Sequence, residues 1–418
     1  MSQIVIKGNK KLSGRLNIQG AKNSVLPILA ATILCEKQSI IHNCPDLSDV
    51  ETSIKILRTL GIKAEKQENM VFVDGSNISG CHIPEDLMRE MRSSVVFLGA
   101  ILARTGNAVI SSPGGCELGP RPIDLHLSSL KKMGAIIKEE HGYLSVSNGK
   151  NLKGCEIILS FASVGATENI ILAAVLAKGT TVIHNAAKEP EICDLADFLN
   201  KAGACICGAG SDTVIIKGVK YLNSTEHSII PDRIAAATYM AGAAITSGDI
   251  EINNVNPSHM AAIFSVFRES GCDISIKDKT VRLSAQNGLS SVPIVRSLVY
   301  PAFPTDAGPI IIAMLCRAKG TSVFSENIFE SRFRYVDELK RLGAKIKTEG
   351  KIAVIEGAQS LSGAGCKCTD LRGGAALVVA GLGSFGTTKV AEIQHIKRGY
   401  DDIVGNFKSL GADIFEIN

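Results

Sequence analysis

Six times along the 418 residues an apolar residue is followed four places on by a glycine, and the surrounding segments are alike. They read LRTLGIKAE from Leu57, LKKMGAIIK from Leu130, LNKAGACIC from Leu199, FRESGCDIS from Phe267, LKRLGAKIK from Leu339 and FKSLGADIF from Phe407. The pattern describes the last turn of an amphipathic helix, a left-handed glycine just past its end, and an alternating strand. Gly61, Gly134, Gly203, Gly271, Gly343 and Gly411 are 68 to 73 residues apart. A second register runs with the first: the short strands NAVISSP, TTVIHNA, DIEINNV, TSVFSEN and TTKVAEI each follow a glycine, and each leads by a loop into one of these helices. Upstream lie the apolar stretches SVLPILAATIL, SSVVFLGAILA, TENIILAAVLA, IAAATYMAGAAI, PIIIAMLCRA and GAALVVAGLG. A helix that is apolar all round belongs inside. One unit is therefore a buried helix, a strand, a loop, an amphipathic helix and one or two further strands. Solenoid repeats usually run about 20 to 45 residues, so a period near seventy favours two closed groups of three units over a solenoid.

Composition agrees with an α/β protein of this size: 45% of residues are hydrophobic, 21% charged, and 40 are glycine. The net charge of +4 is too small and too dispersed to point to nucleic acid. The 12 cysteines form no CxxC pair and the eight histidines no HxxxH, so neither a metal site nor a disulfide framework is expected. The start, MSQIVIKGNKKL, lacks the apolar core of a signal peptide, and no apolar run reaches the roughly 18 residues of a membrane span. A cytoplasmic protein with reduced thiols is the expectation.

Polar residues gather where the six buried helices begin: GAKNSVLP with Lys22 and Asn23, MRSSVV with Arg92, SVGATENI with Ser163 to Gly165, PDRIAAAT with Asp232 and Arg233, PTDAGPII with Asp306, and TDLRGGAA with Asp370 and Arg372. Capping alone accounts for Asn23, Ser163, Asp232, Asp306 and Asp370. The cations are less easily explained, because the helix dipole disfavours positive charge at an N-terminus. Pairing with Asp232 and Asp370 suffices for Arg233 and Arg372, while a bound phosphate or carboxylate accounts for Lys22 and Arg92. Equivalent loops after the short strands carry Asp49, Cys116, Arg121, Asp124, His126, Glu189, Arg332 and Arg398. Loops held by a rigid scaffold are the usual carriers of chemistry.

GAKNSVLP, PGGCELGPRPIDLH, SVGATENI, AAKEPEICD, PDRI, PAFPTD, ESRF, TDLRGG and HIKRGYDD, in this order and over nearly the whole chain, resemble the UDP-N-acetylglucosamine 1-carboxyvinyltransferases, enolpyruvyl transferases related to 5-enolpyruvylshikimate-3-phosphate synthase. The resemblance implies a two-domain inside-out α/β barrel with three repeats in each domain. One domain comprises 1–21 and 230–418 and carries Asp306, Asp370, Arg372 and Arg398. The other, 22–229, carries Lys22, Asn23, Arg92, the Cys116 loop and Arg121, and the active site lies in the cleft between them. It also implies enolpyruvyl transfer from phosphoenolpyruvate to the sugar 3-hydroxyl of UDP-N-acetylglucosamine, without cofactor or metal, as the first committed step of peptidoglycan synthesis.

By matched motif, Lys22, Arg121 and Arg398 resemble the clamp on phosphoenolpyruvate, and Asn23 a contact to the sugar. Arg92 and Arg121, with Pro122, Ile123, Asp124 and Leu125, and Ser163, Val164 and Gly165 match segments that receive the nucleotide. Asp306 resembles the base at the sugar hydroxyl and Ile328 a sugar-nucleotide contact, while Asp370, Arg372, Arg332 and Glu189 resemble supporting charges. Cys116 resembles the proton donor to C3, the group that also forms a covalent adduct and is the target of the epoxide fosfomycin. Gly114, Gly115 and Gly119 would let its loop move. The chain departs from the family pattern at Ser48, where a lysine often stands, at Phe161, often basic, and at Ala307–Gly308, where many relatives carry glutamine. Two rivals stay open on the residues alone: the shikimate-pathway enzyme, and an idle paralogue that only binds sugar nucleotide.

Overall fold

The computed structural model describes residues 2–111, 123–148 and 151–417. The chain divides into two compact units. The terminal unit holds the residues up to Gln19 and those from Pro231 on, and the central unit runs from Gly20 to Ile230. These divisions fall two residues before and one residue after the positions drawn from the sequence. Backbone pairing explains why: Ala21 N donates to Ile230 O at 2.8 Å in the central unit, and Asp232 N donates to Gln19 O at 2.9 Å in the terminal one.

Each unit contains three four-stranded sheets of one design, in which a short edge strand runs parallel to a second strand that pairs antiparallel with a third, itself antiparallel to the fourth. In the central unit the edges Glu226–Ser228, His82–Ile83 and Glu156–Ile158 lie against Gln38–His42, Asn107–Ser111 and Thr180–His184. In the terminal unit Ser13–Asn17, Ile294–Arg296 and Gly365–Lys367 lie against Asp249–Asn253, Thr321–Ser325 and Thr387–Ala391. Two edges are exchanged. Ser13–Asn17 directly precedes the first helix of the central unit yet pairs in the terminal unit, and Glu226–Ser228 does the reverse. The last sheet takes its third strand from the start of the chain, Gln3–Lys7, which sits between Thr387–Ala391 and Asp413–Ile417.

The apolar stretches form internal helices: Lys22–Ala31, Phe97–Thr105 and Val164–Ala174 in the central unit, Arg233–Ile245, Gly308–Leu315 and Leu371–Leu382 in the terminal one. Every residue of Arg233–Ile245 and Gly308–Leu315 is buried, the burial demanded of helices with no polar face. The stretch beginning at Arg92 opens as the 3₁₀ turn Arg92–Val96 before the α-helix. The amphipathic helices bury one face each; in Pro190–Lys201 those residues include Ile192, Leu195, Phe198 and Leu199. All six repeat glycines are left-handed, with φ between 87° and 106°. The architecture is thus mixed α/β. No helix among the described residues is long and apolar enough to cross a membrane.

Candidate active site

In the terminal unit a cluster of charged side chains centres on Asp306, in the 3₁₀ turn Thr305–Ala307 ahead of Gly308–Leu315. Sequence alone casts it as a cap, but its carboxylate is turned to two guanidiniums instead. Arg332 Nη2 donates to Oδ1 at 3.0 Å and to the Thr305 carbonyl at 3.3 Å. Arg372 Nε and Nη2 lie 3.4 Å from Oδ2. The arginine side chains are 4% and 3% exposed, that of Asp306 28%. Its open side, opposite the two guanidiniums, is where a hydroxyl proton can be accepted.

The partner of Arg372 corrects the pairing with Asp370 read from the sequence. Asp370 Oδ1 accepts the backbone N–H of Arg372 and Gly373 at 3.1 and 3.0 Å, the work of a cap, and the guanidinium goes to Asp306. Arg372 Nη1 also donates to Tyr400 Oη at 3.2 Å. Thr238 Oγ1 donates its one proton to Ile234 O at 2.9 Å, so at 2.7 Å it accepts from Tyr400, and the chain of donors is consistent from guanidinium to backbone. Burial pushes the Tyr400 phenol up and keeps it neutral, although Arg372 pulls the other way. Burial also works against the Arg372 charge, but the Tyr400 oxygen, Asp306 and Asp232 outweigh it and hold the group protonated.

Glu326, 1% exposed, holds the other flank. Both of its carboxylate oxygens are engaged, Oε2 accepting from Thr305 Oγ1 at 2.8 Å and Oε1 accepting the N–H groups of Ile328 and Phe329 at 2.8 and 3.1 Å. It therefore joins the Asp306 turn to the loop that carries Ile328 and Arg332. Arg398, half-buried, ends the 3₁₀ turn Ile393–Arg398. Asp232 caps its helix through Ile234 N and Ala235 N at 2.8 and 2.9 Å, and the Arg233 guanidinium lies 5.5 Å from the centre of the Tyr300 ring. Sequence reading missed Tyr400, Thr238, Thr305 and Glu326. Tyr400 and Glu326 stand in quoted motifs, but nothing in their spacing signals a partner far along the chain.

In the central unit Lys22 opens Lys22–Ala31 and pairs with Asp49 Oδ2 at 2.8 Å, both side chains buried. A carboxylate of the chain itself thus offsets the cation for which the sequence suggested a bound anion. Asn23 is exposed in the first turn and is not the cap. Ser163 is a cap, accepting from Ala166 N at 3.3 Å, with Val164 and Gly165 half-buried after it. Ile123 precedes the helix Asp124–Lys132, in which Asp124 is exposed and Leu125 packs against the core. His126 Nδ1 accepts from Asn169 Nδ2 at 2.8 Å, and Asn169 also bonds Gly99 N and Val95 O. Glu189 stands at the cap position of Pro190–Lys201, Ser48 begins Ser48–Thr59, and Phe161 is 44% exposed. Arg92 begins its 3₁₀ turn. Gly114, Gly115, Cys116, Gly119, Arg121 and Pro122 lie outside the described residues.

A family model described as EPSP synthase (3-phosphoshikimate 1-carboxyvinyltransferase) matches residues 6–407. A protein of Caldanaerobacter subterraneus subsp. tengcongensis named UDP-N-acetylglucosamine 1-carboxyvinyltransferase 2 is 49% identical over 417 residues, covering 100% of both chains. The chain belongs to the UDP-N-acetylglucosamine 1-carboxyvinyltransferase family. A Staphylococcus aureus member of that family, UDP-N-acetylglucosamine 1-carboxyvinyltransferase 1, is 46% identical over 421 residues, again covering 100% of both. Among solved structures, the enolpyruvyl transferase NikO from Streptomyces tendae matches 99% of this chain and 98% of its own with a TM-score of 0.89 at 24% identity. EPSP synthase from Acinetobacter baumannii matches 100% of both chains with a TM-score of 0.77 at 20% identity. At those identities the two structures establish the carboxyvinyltransferase fold alone.

Proposed function

We propose that this chain transfers the enolpyruvyl group of phosphoenolpyruvate to the 3-hydroxyl of UDP-N-acetylglucosamine and releases phosphate, the first committed step of peptidoglycan synthesis. The observation that carries the reading is the 49% identity, end to end, with a protein bearing that activity in its name. The sugar oxygen bonds to C2 of phosphoenolpyruvate while its proton passes to Asp306. C3 takes a proton from the Cys116 thiol, giving a tetrahedral intermediate. Loss of a proton from C3 to the Cys116 thiolate and cleavage of the bond from C2 to the phosphate oxygen then restore the thiol and the vinyl group and free phosphate.

Each residue has a role in that scheme. Asp306, held between Arg332 and Arg372, is the base. Lys22, Arg121 and Arg398 balance the phosphate and carboxylate charges of phosphoenolpyruvate, and preorganised cations of this kind act most strongly where water is excluded. Asn23 and Ile328 contact the sugar nucleotide. Arg92, Arg121 to Leu125 and Ser163 to Gly165 take the uridine diphosphate; the capped N-terminus at Ser163 suits a phosphate. Asp370 and Glu326 hold their neighbours in place. The reaction proceeds in the cytoplasm, where free thiols persist. No nucleic acid takes part.

Phosphate release from phosphoenolpyruvate tests the reading, with UDP-N-acetylglucosamine, shikimate 3-phosphate or neither as acceptor. Release with the first alone is expected. Release with shikimate 3-phosphate alone, or with no acceptor, overturns it.

A further inference from the structure

Gln19 is the last residue of the chain before it leaves the terminal unit, and its side chain is 8% exposed. Its amide does not point outward. Nε2 donates to Gly399 O at 3.2 Å, and Oε1 accepts from Asp401 N at 3.2 Å. One side chain thus satisfies the carbonyl before Tyr400 and the N–H after it, as a neighbouring β-strand would, with both amide ends assigned by their partners. Its own carbonyl accepts from Asp232 N at 2.9 Å. The bracketed residue is the one whose hydroxyl takes Arg372 Nη1, and Arg398 precedes the bracket directly.

We infer that Gln19 is a positioning residue for the transfer reaction: by clamping the peptide groups on either side of Tyr400 it fixes the backbone that carries Arg398 and, through Tyr400 and Arg372, the orientation of the Asp306 carboxylate. The inference rests on the roles proposed above for Arg398 and Asp306. The chemistry at position 19 is narrow. Asparagine is one methylene too short to reach both groups. Glutamate keeps the acceptor for Asp401 N but sets a carboxylate oxygen against the Gly399 carbonyl, leaving two acceptors face to face. Lysine and the hydroxyl residues offer no acceptor and donor at this spacing. Arg372 and Tyr400 are buried, so a loosened Tyr400 is felt by the guanidinium, whose other end carries half of the charge facing Asp306.

The test uses the full chain with Gln19→Ala, Gln19→Glu, Tyr400→Phe and the double variant Gln19→Ala/Tyr400→Phe. Amide hydrogen exchange, followed by mass spectrometry over the peptide containing Asp401, reports on the bracket whether or not the chain is active. Faster exchange there in Gln19→Ala, which removes the acceptor of Asp401 N, with exchange elsewhere unchanged, is expected; equal exchange in that variant overturns the clamp. In phosphate-release kinetics each Gln19 variant should raise KM for phosphoenolpyruvate about five- to tenfold, the scale of one lost hydrogen bond, and leave KM for the sugar nucleotide nearly unchanged. The acid limb of the pH profile of kcat/KM should move upward in Gln19→Ala and in Tyr400→Phe, with no further movement in the double variant. Additive shifts, an unmoved acid limb, or equal rises in both KM values overturn the positioning role. If the unaltered chain transfers nothing to UDP-N-acetylglucosamine, the proposed reaction fails, and the exchange result still decides on the clamp.

Discussion

Arg332 Nη2 lies 3.0 Å from Asp306 Oδ1, while Arg372 faces the other oxygen, so a single carboxylate separates two buried guanidiniums. Replacing it removes more than the proposed base. In Asp306→Asn the two cations face each other across a neutral amide, and breaking a buried pair in this way costs about 3 to 5 kcal/mol, toward the lower end here because Asp306 is partly open to water. Phosphate release should fall at least about a hundredfold, the scale of lost general-base catalysis, and thermal unfolding should begin earlier. A variant with full turnover, or with an unchanged unfolding temperature, contradicts this account.

Lys22 and Asp49 pose the same problem with a different solution. Lys22→Met leaves Asp49, 1% exposed, without that cation, so the variant should lose about 3 kcal/mol of stability along with turnover. Adding Asp49→Leu removes the stranded charge. The double variant should regain most of the stability and none of the activity. Urea unfolding and phosphate release, measured side by side, separate the two roles; recovered activity denies Lys22 a place at the substrate.

The role proposed for Cys116 can be tested against the described cysteines. Burial pushes the thiols of Cys35, Cys44 and Cys316 up to about 11, 12 and 12, so they present almost no thiolate near neutral pH. Cys205 and Cys207 are exposed on a strand. Fosfomycin should modify the peptide containing Cys116 and leave those containing Cys205 and Cys207 unmodified, as peptide mass mapping will reveal. Cys116→Ala should abolish turnover, Cys116→Ser slow it severely, and Cys116→Asp keep it while resisting the epoxide. Normal turnover in Cys116→Ala removes the proposed acid.

One ion pair gives a pH-dependent stability with a definite sign. Arg282 donates Nε and Nη2 to Asp249 Oδ1 and Oδ2 at 2.9 and 2.8 Å, and these bonds hold the Asp249 carboxyl below its ordinary range. A carboxylate lowered on folding stabilises the native state above its unfolded pKa, and that stability is lost as pH falls through the folded one. Arg282→Ala should thus be slightly less stable at pH 7, as for solvent-exposed pairs, and the difference should vanish well below pH 4. A gap that grows in acid contradicts it.

Two glycines separate backbone strain from crowding. At Gly134, φ is +98° and an added Cβ meets nothing within 4 Å, so Gly134→Ala should cost about 1 to 2 kcal/mol of left-handed strain alone. At Gly99 an added Cβ falls 2.3 Å from the Asn169 backbone oxygen, where two internal helices meet. Gly99→Ala should be the more damaging change, and equal unfolding midpoints count against the close approach.

The repeat, the six left-handed glycines and the buried helices were legible because each rests on local chemistry: a period of apolar residues and a turn that only glycine adopts readily. Caps were legible for the same reason at Ser163, Asp232 and Asp370. Asp306 and Asn23 show where that reasoning stops, since the same residue types at the same place in the repeat do other work. Whether Arg372 turns to Asp370 or to Asp306 depends on how three internal helices pack, and no spacing encodes that. Edge strands of two or three residues, and an amide such as Gln19 that pairs with residues flanking Tyr400, leave no periodic trace at all. The motifs carried by resemblance supplied the substrates, which no spacing of charges names.

The strand Gln3–Lys7 finds both its neighbours in the last sheet, between Thr387–Ala391 and Asp413–Ile417. During synthesis the central unit can therefore close before the ribosome finishes, because all its strands lie within one continuous stretch, whereas the first strand made must wait, unpaired, for the last. Such waiting strands are a hazard for wrong association, and Lys7, Lys10 and Lys11 in and after this one supply the charge that keeps it apart from other chains in the meantime.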